Sequence, residues 1–382
     1  EDLDDFVLED GDDTEGMGKS PVYDFLEEND AFETFTNFSK DVVVDIWRLV
    51  DERMGQERRR GPKPIHSSMD HLLLYLVWLK SGSPYSKLSS IFGLSESRLE
   101  DDLNRVRGPL HDALVEKWWA NRRRLKHIPG GVDQEVGLII DGHTTEIATP
   151  KMTYQDAKVY YDGKNHIYGY KNEIAVAIQP PHFCLFISPH YPGSVHDYTI
   201  HKTVFRTYGE YLQMTPDELI LNGKPHGAHF WKILADKGYI GNSADTHPIE
   251  RVCPVKATND PNLRRKNQIH SNQRVVIEQF FGRLATLWTT MNLKWRYDEA
   301  HFDDDLTIAC LLTNEHLAFN DLEEQDQLAC TNRFRRWTKQ FIQKQEKRAQ
   351  SVAKQKEKKL QMRRIQLGLP LDADDQNEPE FM

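Results

Sequence analysis

Residues 135–143 read Glu-Val-Gly-Leu-Ile-Ile-Asp-Gly-His, an apolar run that ends in a carboxylate followed by a glycine. The run is short, rich in large aliphatics and closed by a turn-former, so it predicts a buried strand ending at Asp141. The chain beyond it keeps this texture. Asp162-Gly163 is a turn signal, and His166 to Gln179 alternates as a second strand. Phe183–Ile187 reads as a third strand. Asp197 to Phe205 reads as a helix with Asp197 as its N-cap. Trp231–Tyr239 is a fourth strand, and it too carries a carboxylate, Asp236, close to a glycine. Arg251–Ala257 is a short fifth. Asn272–Trp288 places Ile277, Phe280, Phe281, Leu284 and Leu287 on one helical face, and Asp304–Asn320 is a further helix. This order predicts an α/β fold, a mixed sheet with flanking helices.

Upstream the pattern is helical. Phe38, Val42, Ile46 and Val50 mark a helix over Phe35–Arg53, and Ser68–Lys80 is a second with a Ser/Asp start. Between them, Gln56–Pro64 is a basic loop broken by prolines. From Ser83 to Leu99 a short helix ends at Gly93 and a new one begins near Ser95, a helix-turn-helix pattern. Glu96, Glu100, Asp101 and Asp102 crowd the first turns of the second helix, where phosphates would lie. Arg98, Arg105 and Arg107 are the only basic counterweights, so groove reading by this helix is disfavoured.

The net charge of -10 hides three different regions. Residues 1–33 carry 14 carboxylates and one lysine, and read as an acidic disordered head. Residues 369–382 form an acidic tail with five carboxylates. Residues 332–365 hold 13 Lys/Arg, among them Arg333, Arg335 and Arg336, against two Glu, and read as a basic helical arm. The arm suits DNA phosphates, a nuclear-import signal or a solvated helix, so the acidic overall balance does not exclude nucleic acid. No apolar run reaches the roughly 18–20 residues of a membrane span, which argues against a membrane partner. Cys184, Cys253, Cys310 and Cys330 are scattered, against a disulfide framework or a zinc ribbon.

Three carboxylates carry the chemistry. Asp141 and Asp236 stand at strand ends and Glu278 on the late helix. Converging at a sheet edge, they could hold two Mg²⁺ ions (or Mn²⁺) roughly 3.5–4 Å apart for in-line attack on a phosphodiester. Each also has a plain reading. A strand-end Asp often only forms a turn, and Glu278 could merely pair with Arg274 at i,i+4. Asp197 competes with Asp236 for the second place, but its setting suits helix capping or a supporting role, as does that of His196. Lys164, Lys171, Lys237, Arg274 and Arg283 could touch phosphates or be solvated charge. Gly282 leaves a helix face open to a close neighbour.

Five motifs occur in order: Ile-Ile-Asp141-Gly142, Tyr161-Asp-Gly-Lys-Asn-His166, Pro192-Gly-Ser-Val-His-Asp197, Leu-Ala-Asp236-Lys-Gly-Tyr239 and Asn272-Gln-Arg-Val-Val-Ile-Glu278-Gln-Phe-Phe-Gly-Arg-Leu284. Together they resemble the DDE nuclease domain of Harbinger-type transposases and of the domesticated genes descended from them. The resemblance covers about 133–320. It implies an RNase H-like fold and a nuclear transposase that cuts and joins double-stranded DNA at transposon ends, with Asp141, Asp236 and Glu278 as its triad. It also implies a Myb-like DNA-binding partner, and a homodimer fits the same picture. The rival reading is a domesticated descendant serving as a chromatin or protein-interaction module. The expected organisation is then the head 1–33, a helix-turn-helix-like domain 34–128, the nuclease domain 133–320, the arm 332–365 and the tail 369–382.

Overall fold

The computed structural model describes residues 20–54, 66–120, 133, 135–224, 227–241, 249–255 and 259–366. The basic loop 56–64, the tail 369–382 and most of the acidic head lie outside these residues. The rest of the head is helical: α1 (Pro21–Glu28) buries Val22, Tyr23 and Leu26, and α2 (Phe32–Thr36) buries Phe32. The expectation of disorder through residue 33 is corrected here, because the density of acids masked a short apolar stripe. α3 (Lys40–Met54) follows, with Val43, Ile46 and Val50 inward.

α4 (Ser68–Ser81) starts at a reciprocal cap between Ser67 and Asp70 and ends at Gly82 in the left-handed region. It is buried all round from Met69 to Leu79, as expected of a helix with no polar face. α5 (Tyr85–Phe92) ends at Gly93, and Ser95 caps α6 (Glu96–Val115) by accepting from the Arg98 amide. Two charges read as lying where phosphates would approach this helix are turned inward instead. Asp102 is fully buried, and Arg107 donates through Nε to Asp305 Oδ1 at 2.8 Å. The helices share one continuous core with the sheet, joining Leu72, Trp78 and Leu103 to Ile139, Ile174 and Phe280. Among the described residues, these helices and the sheet are packed in that one core.

The sheet is mixed. β1 (Val136–Glu146) is followed by α7 (Tyr154–Lys158), β2 (Tyr161–Asp162), β3 (Ile167–Ala177), β4 (Cys184–Ile187), β5 (Tyr191–Pro192), α8 (Asp197–Leu212), α9 (Pro216–Leu221), β6 (Lys232–Leu234) and β7 (Arg251–Val252). β1 pairs antiparallel with β3, whose far edge is paired in turn by β2, β5 and β4. On its other side β1 pairs parallel with β6, and β6 parallel with β7. The first strand does not end at Asp141, as its sequence suggested. It continues to Glu146 as the partner of β3, and only its parallel pairing stops short of Asp141.

α10 (Pro261–Leu287) begins well before the residues whose periodicity marked it, because its first turns carry mostly polar side chains. α11 (Thr289–Asn292) and α12 (Phe302–Leu317) complete the layer, with Leu306 to Leu312 buried. α13 (Glu324–Gln366) runs 43 residues. The chain divides into two compact units, Glu1–Gly163 with Ile167–Thr331, and Lys164–His166 with Asn332–Met382. Within the second, the His166 ring stacks on Phe341, centroids 3.9 Å apart, and Arg333 lies over Trp337.

Candidate active site

β1 and β6 run parallel with Ile139 opposite Leu234. Asp141 and Asp236 each stand two residues beyond that pair. Side chains repeat every two residues along a strand, so the register brings both acids toward one place past the end of β6. Asp236 also organises the chain that follows, since its Oδ1 accepts from the Gly238 amide at 2.6 Å and caps the turn Lys237–Tyr239.

Asp197 lies with them. A Cβ added to Gly142 would stand 2.9 Å from Asp197 Oδ1, and one added to Gly238 would stand 3.7 Å from Asp197 Oδ2. The Asp197 carboxylate therefore fills the space between the backbones that follow Asp141 and Asp236, and any larger residue than glycine at 142 would collide with it. The cap of α8 is not Asp197 but His196, whose Nδ1 accepts from the Tyr198 amide at 3.2 Å. This corrects the capping role expected of Asp197. As the first residue inside the helix, it turns its carboxylate to the sheet instead. His196 itself is exposed.

Two cations neutralise the acids. Arg274 on α10 reaches Asp141 Oδ2 through Nη2 at 2.6 Å. Lys171 on β3 lies 3.3 Å from Asp197 Oδ1 and 4.0 Å from Asp162 Oδ2, and donates to the Val195 carbonyl. Lys171 is buried, so the phosphate contact considered for it gives way to an internal ion pair. Arg274 is likewise engaged with Asp141, not with Glu278 one turn on. Glu278 is half-buried on the same helix and accepts from Gln327 Nε2 at 3.2 Å. Three residues further along α10, Phe281 packs edge-on against His143, so this stretch of the helix lies along β1 beside Asp141.

The remaining cations separate cleanly. Lys237 is exposed next to Asp236, and Lys164 is exposed after β2. Arg283 is buried, with Nε and Nη2 bonded to Asp326 at 2.9 and 2.8 Å and further bonds to the carbonyls of Asn320 and Asp321. It clasps the start of α13, so the phosphate contact considered for it gives way to internal bonds. Arg333 is buried, Arg336 half-buried and Arg335 exposed.

A polar layer beneath the acids was not anticipated. Glu173, opposite Gly142 in the β1–β3 register, receives the Tyr208 hydroxyl at 2.7 Å and lies 3.1 Å from His201 Nδ1. Tyr239 is fully buried beside them. Burial first, then the carboxylates of Glu173, Asp141 and Asp197, hold its hydroxyl protonated. The signal was present in Lys171-Asn172-Glu173, three polar residues in the middle of a buried strand. Burial pushes the Cys253 thiol up to about 11, between Asp236 and the guanidinium groups of Arg251 and Arg274.

The resulting cluster is a set of hard oxygen donors at the carboxyl end of a parallel strand pair, with cations held against them. Residues 140–314, a little under half the chain, match the family model described as DDE superfamily endonuclease. That span includes Asp141, Asp197, Asp236 and Glu278. No curated protein and no solved structure matches the chain.

Proposed function

We propose that the chain is a metal-dependent endonuclease of the DDE class acting on DNA. The observation that carries this is the meeting of Asp141, Asp236 and Asp197 past the Ile139–Leu234 pair, inside the span similar to DDE endonucleases. The strand order β4-β3-β1-β6-β7, three antiparallel and then two parallel, supports an RNase H-like sheet.

The donor set suits Mg²⁺ or Mn²⁺, because aspartate oxygens are the hard ligands these ions take. Asp141, Asp236 and Glu278 would hold two such ions, with Asp197 fixing Lys171 beside them. Bound there, two ions would activate the attacking oxygen and stabilise the charge that builds on the leaving oxygen. The chain's own part is positioning. The cross-strand register fixes the two strand acids, Gly142 admits Asp197, and exposed Lys237 offers a charge to a phosphate beside Asp236.

The Harbinger-type resemblance extends the reading to a nuclear transposase that cuts and joins transposon ends, guided by a Myb-like partner. α6 is not assigned a groove, since Glu96, Glu100 and Asp101 are exposed while Arg107 is not. The exposed bases of α13 are the better candidates for phosphate contact.

The test is strand nicking of plasmid DNA by the purified full chain with Mg²⁺, beside Asp141→Asn. Nicking by the parent alone supports the proposal. Equal nicking by both, or none by the parent with either metal on DNA carrying the flanking repeats, overturns it.

A further inference from the structure

A second cluster of ligating side chains lies among the helices. His66 precedes the cap of α4, His71 stands in its first turns and Asp102 in the second turn of α6. Their exposures are 6%, 3% and 0%. One donor atom from each can be chosen so that all three lie within 4.8 Å of one another.

Two contacts differ in kind. His66 Nδ1 is hydrogen-bonded to Asp102 Oδ2 at 2.7 Å, and Arg98 Nε stands 3.1 Å from both carboxylate oxygens, donating to Oδ2. His71 Nε2 faces Asp102 Oδ1 at 3.2 Å, yet neither atom makes a hydrogen bond of acceptable geometry, and His71 Nδ1 makes none either. A buried imidazole with no partner on Nδ1 and only a misaligned carboxylate on Nε2 is uncommon, since buried polar groups nearly always find well-aligned partners. Two ligands on a tetrahedral zinc, each about 2.0–2.1 Å from the ion, stand roughly 3.3 Å apart. That is the separation of His71 Nε2 and Asp102 Oδ1.

We propose that His66, His71 and Asp102 form a binding site for a Zn²⁺-class cation that ties α4 to α6, separate from the carboxylate site on the sheet. Two imidazoles and one carboxylate are the donors such borderline ions prefer, and they discriminate against Mg²⁺. Asp70, the other acid nearby, is already committed to the amides of Val22, Tyr23 and Ser67. Among the described residues, Arg98 is the arginine or lysine paired with Asp102. Its side chain is about a quarter exposed, and it can swing to solvent as the ion enters.

The experiment uses Co²⁺ as a spectroscopic stand-in for Zn²⁺, added to the full chain. The expected result is a visible ligand-field band of a nitrogen-containing site, displaced by Zn²⁺ and retained in the Asp141→Asn/Asp236→Asn double variant. His71→Gln should weaken Co²⁺ binding by about tenfold or more, as losing even a supporting residue commonly does. Zn²⁺ should also raise the Tm of the parent and not that of His71→Gln. Should His71→Gln fail to fold, His66→Gln, at the edge of the cluster, carries the same comparison. A band that vanishes with the carboxylate variants and survives His71→Gln and His66→Gln overturns the proposal. So does no band at all, which leaves the cluster as a histidine–aspartate–arginine ion-pair knot. Neither result depends on DNA cleavage.

Discussion

Arg274 Nη2 lies 2.6 Å from Asp141 Oδ2, joining α10 to β1 across 133 positions of sequence. A divalent ion held by Asp141, as proposed, would meet this guanidinium as a competing cation. Arg274→Gln should tighten Mn²⁺ binding by roughly three- to tenfold, the effect of about 1 kcal/mol of water-screened repulsion removed. Calorimetric titration of both proteins decides it, and weaker binding in the variant would assign Arg274 a supporting role instead.

The acids themselves should divide by effect. Asp141→Asn, Asp236→Asn and Glu278→Gln keep shape while removing a charge, and each should lower strand cleavage by at least about 10²-fold. Asp197→Asn should differ in also lowering Tm, because among the described residues it leaves the buried Lys171 ammonium with the more distant Asp162 as its counter-charge. A parent-like Tm for Asp197→Asn, measured by calorimetry, would count against that pairing.

Gly282 marks a close approach. A Cβ there would stand 1.7 Å from the Asp326 carbonyl oxygen and 2.5 Å from its carbon. Backbone cannot rotate away as a side chain can, so the start of α13 must move. Gly282→Ala should cost about 1–3 kcal/mol or more, read as a fall in the denaturant midpoint at unchanged m.

His190 bridges two acids, with Nδ1 3.0 Å from Asp303 Oδ2 and Nε2 3.0 Å from Glu299 Oε1. Burial lowers its pKa, but the two carboxylates outweigh burial and leave it raised. The stabilisation is then complete below the ordinary histidine value of about 6.5 and fades as pH rises through the folded-state value. The Tm gap between the parent and His190→Asn should be widest in mild acid and close toward alkaline pH. A gap independent of pH would mean that the ring stays neutral.

Lys354, Lys356, Lys358 and Lys359 are all exposed on α13. If each meets a phosphate, changing all four to Gln should flatten the log–log salt dependence of DNA binding by roughly 3 to 4. Filter binding across a salt series measures this, and an unchanged slope would leave the arm as a solvated helix.

The strand acids of the candidate site were legible because their signals are local. An apolar run followed by Asp-Gly or Asp-Lys-Gly marks a strand and its acid together, which is how Asp141 and Asp236 were singled out. What escaped depends on pairs distant in sequence. Nothing near Arg283 announces that Asp326 will enclose it, or that Lys171 will turn inward to Asp197. Asp102 read as a groove-facing acid because helical spacing alone does not show that His66 and α4 will cover that face. The start of α10 was missed for a related reason, since Pro261–Ser271 carries little apolar periodicity and the helix there rests on its continuation.

Tyr75 on α4, Arg107 on α6 and Asp305 on α12 meet in the interior, with the Tyr75 hydroxyl and the Arg107 guanidinium both on Asp305. The knot closes a seam that the sequence suggested near residue 128. Severing the chain there would strand Arg107 without its counter-charge and open Trp78, packed edge-on against Trp295 and Tyr297, to water. The helical region and the sheet should accordingly melt as one cooperative event. A fragment of either alone would report the loss of its other half before it reported anything about DNA.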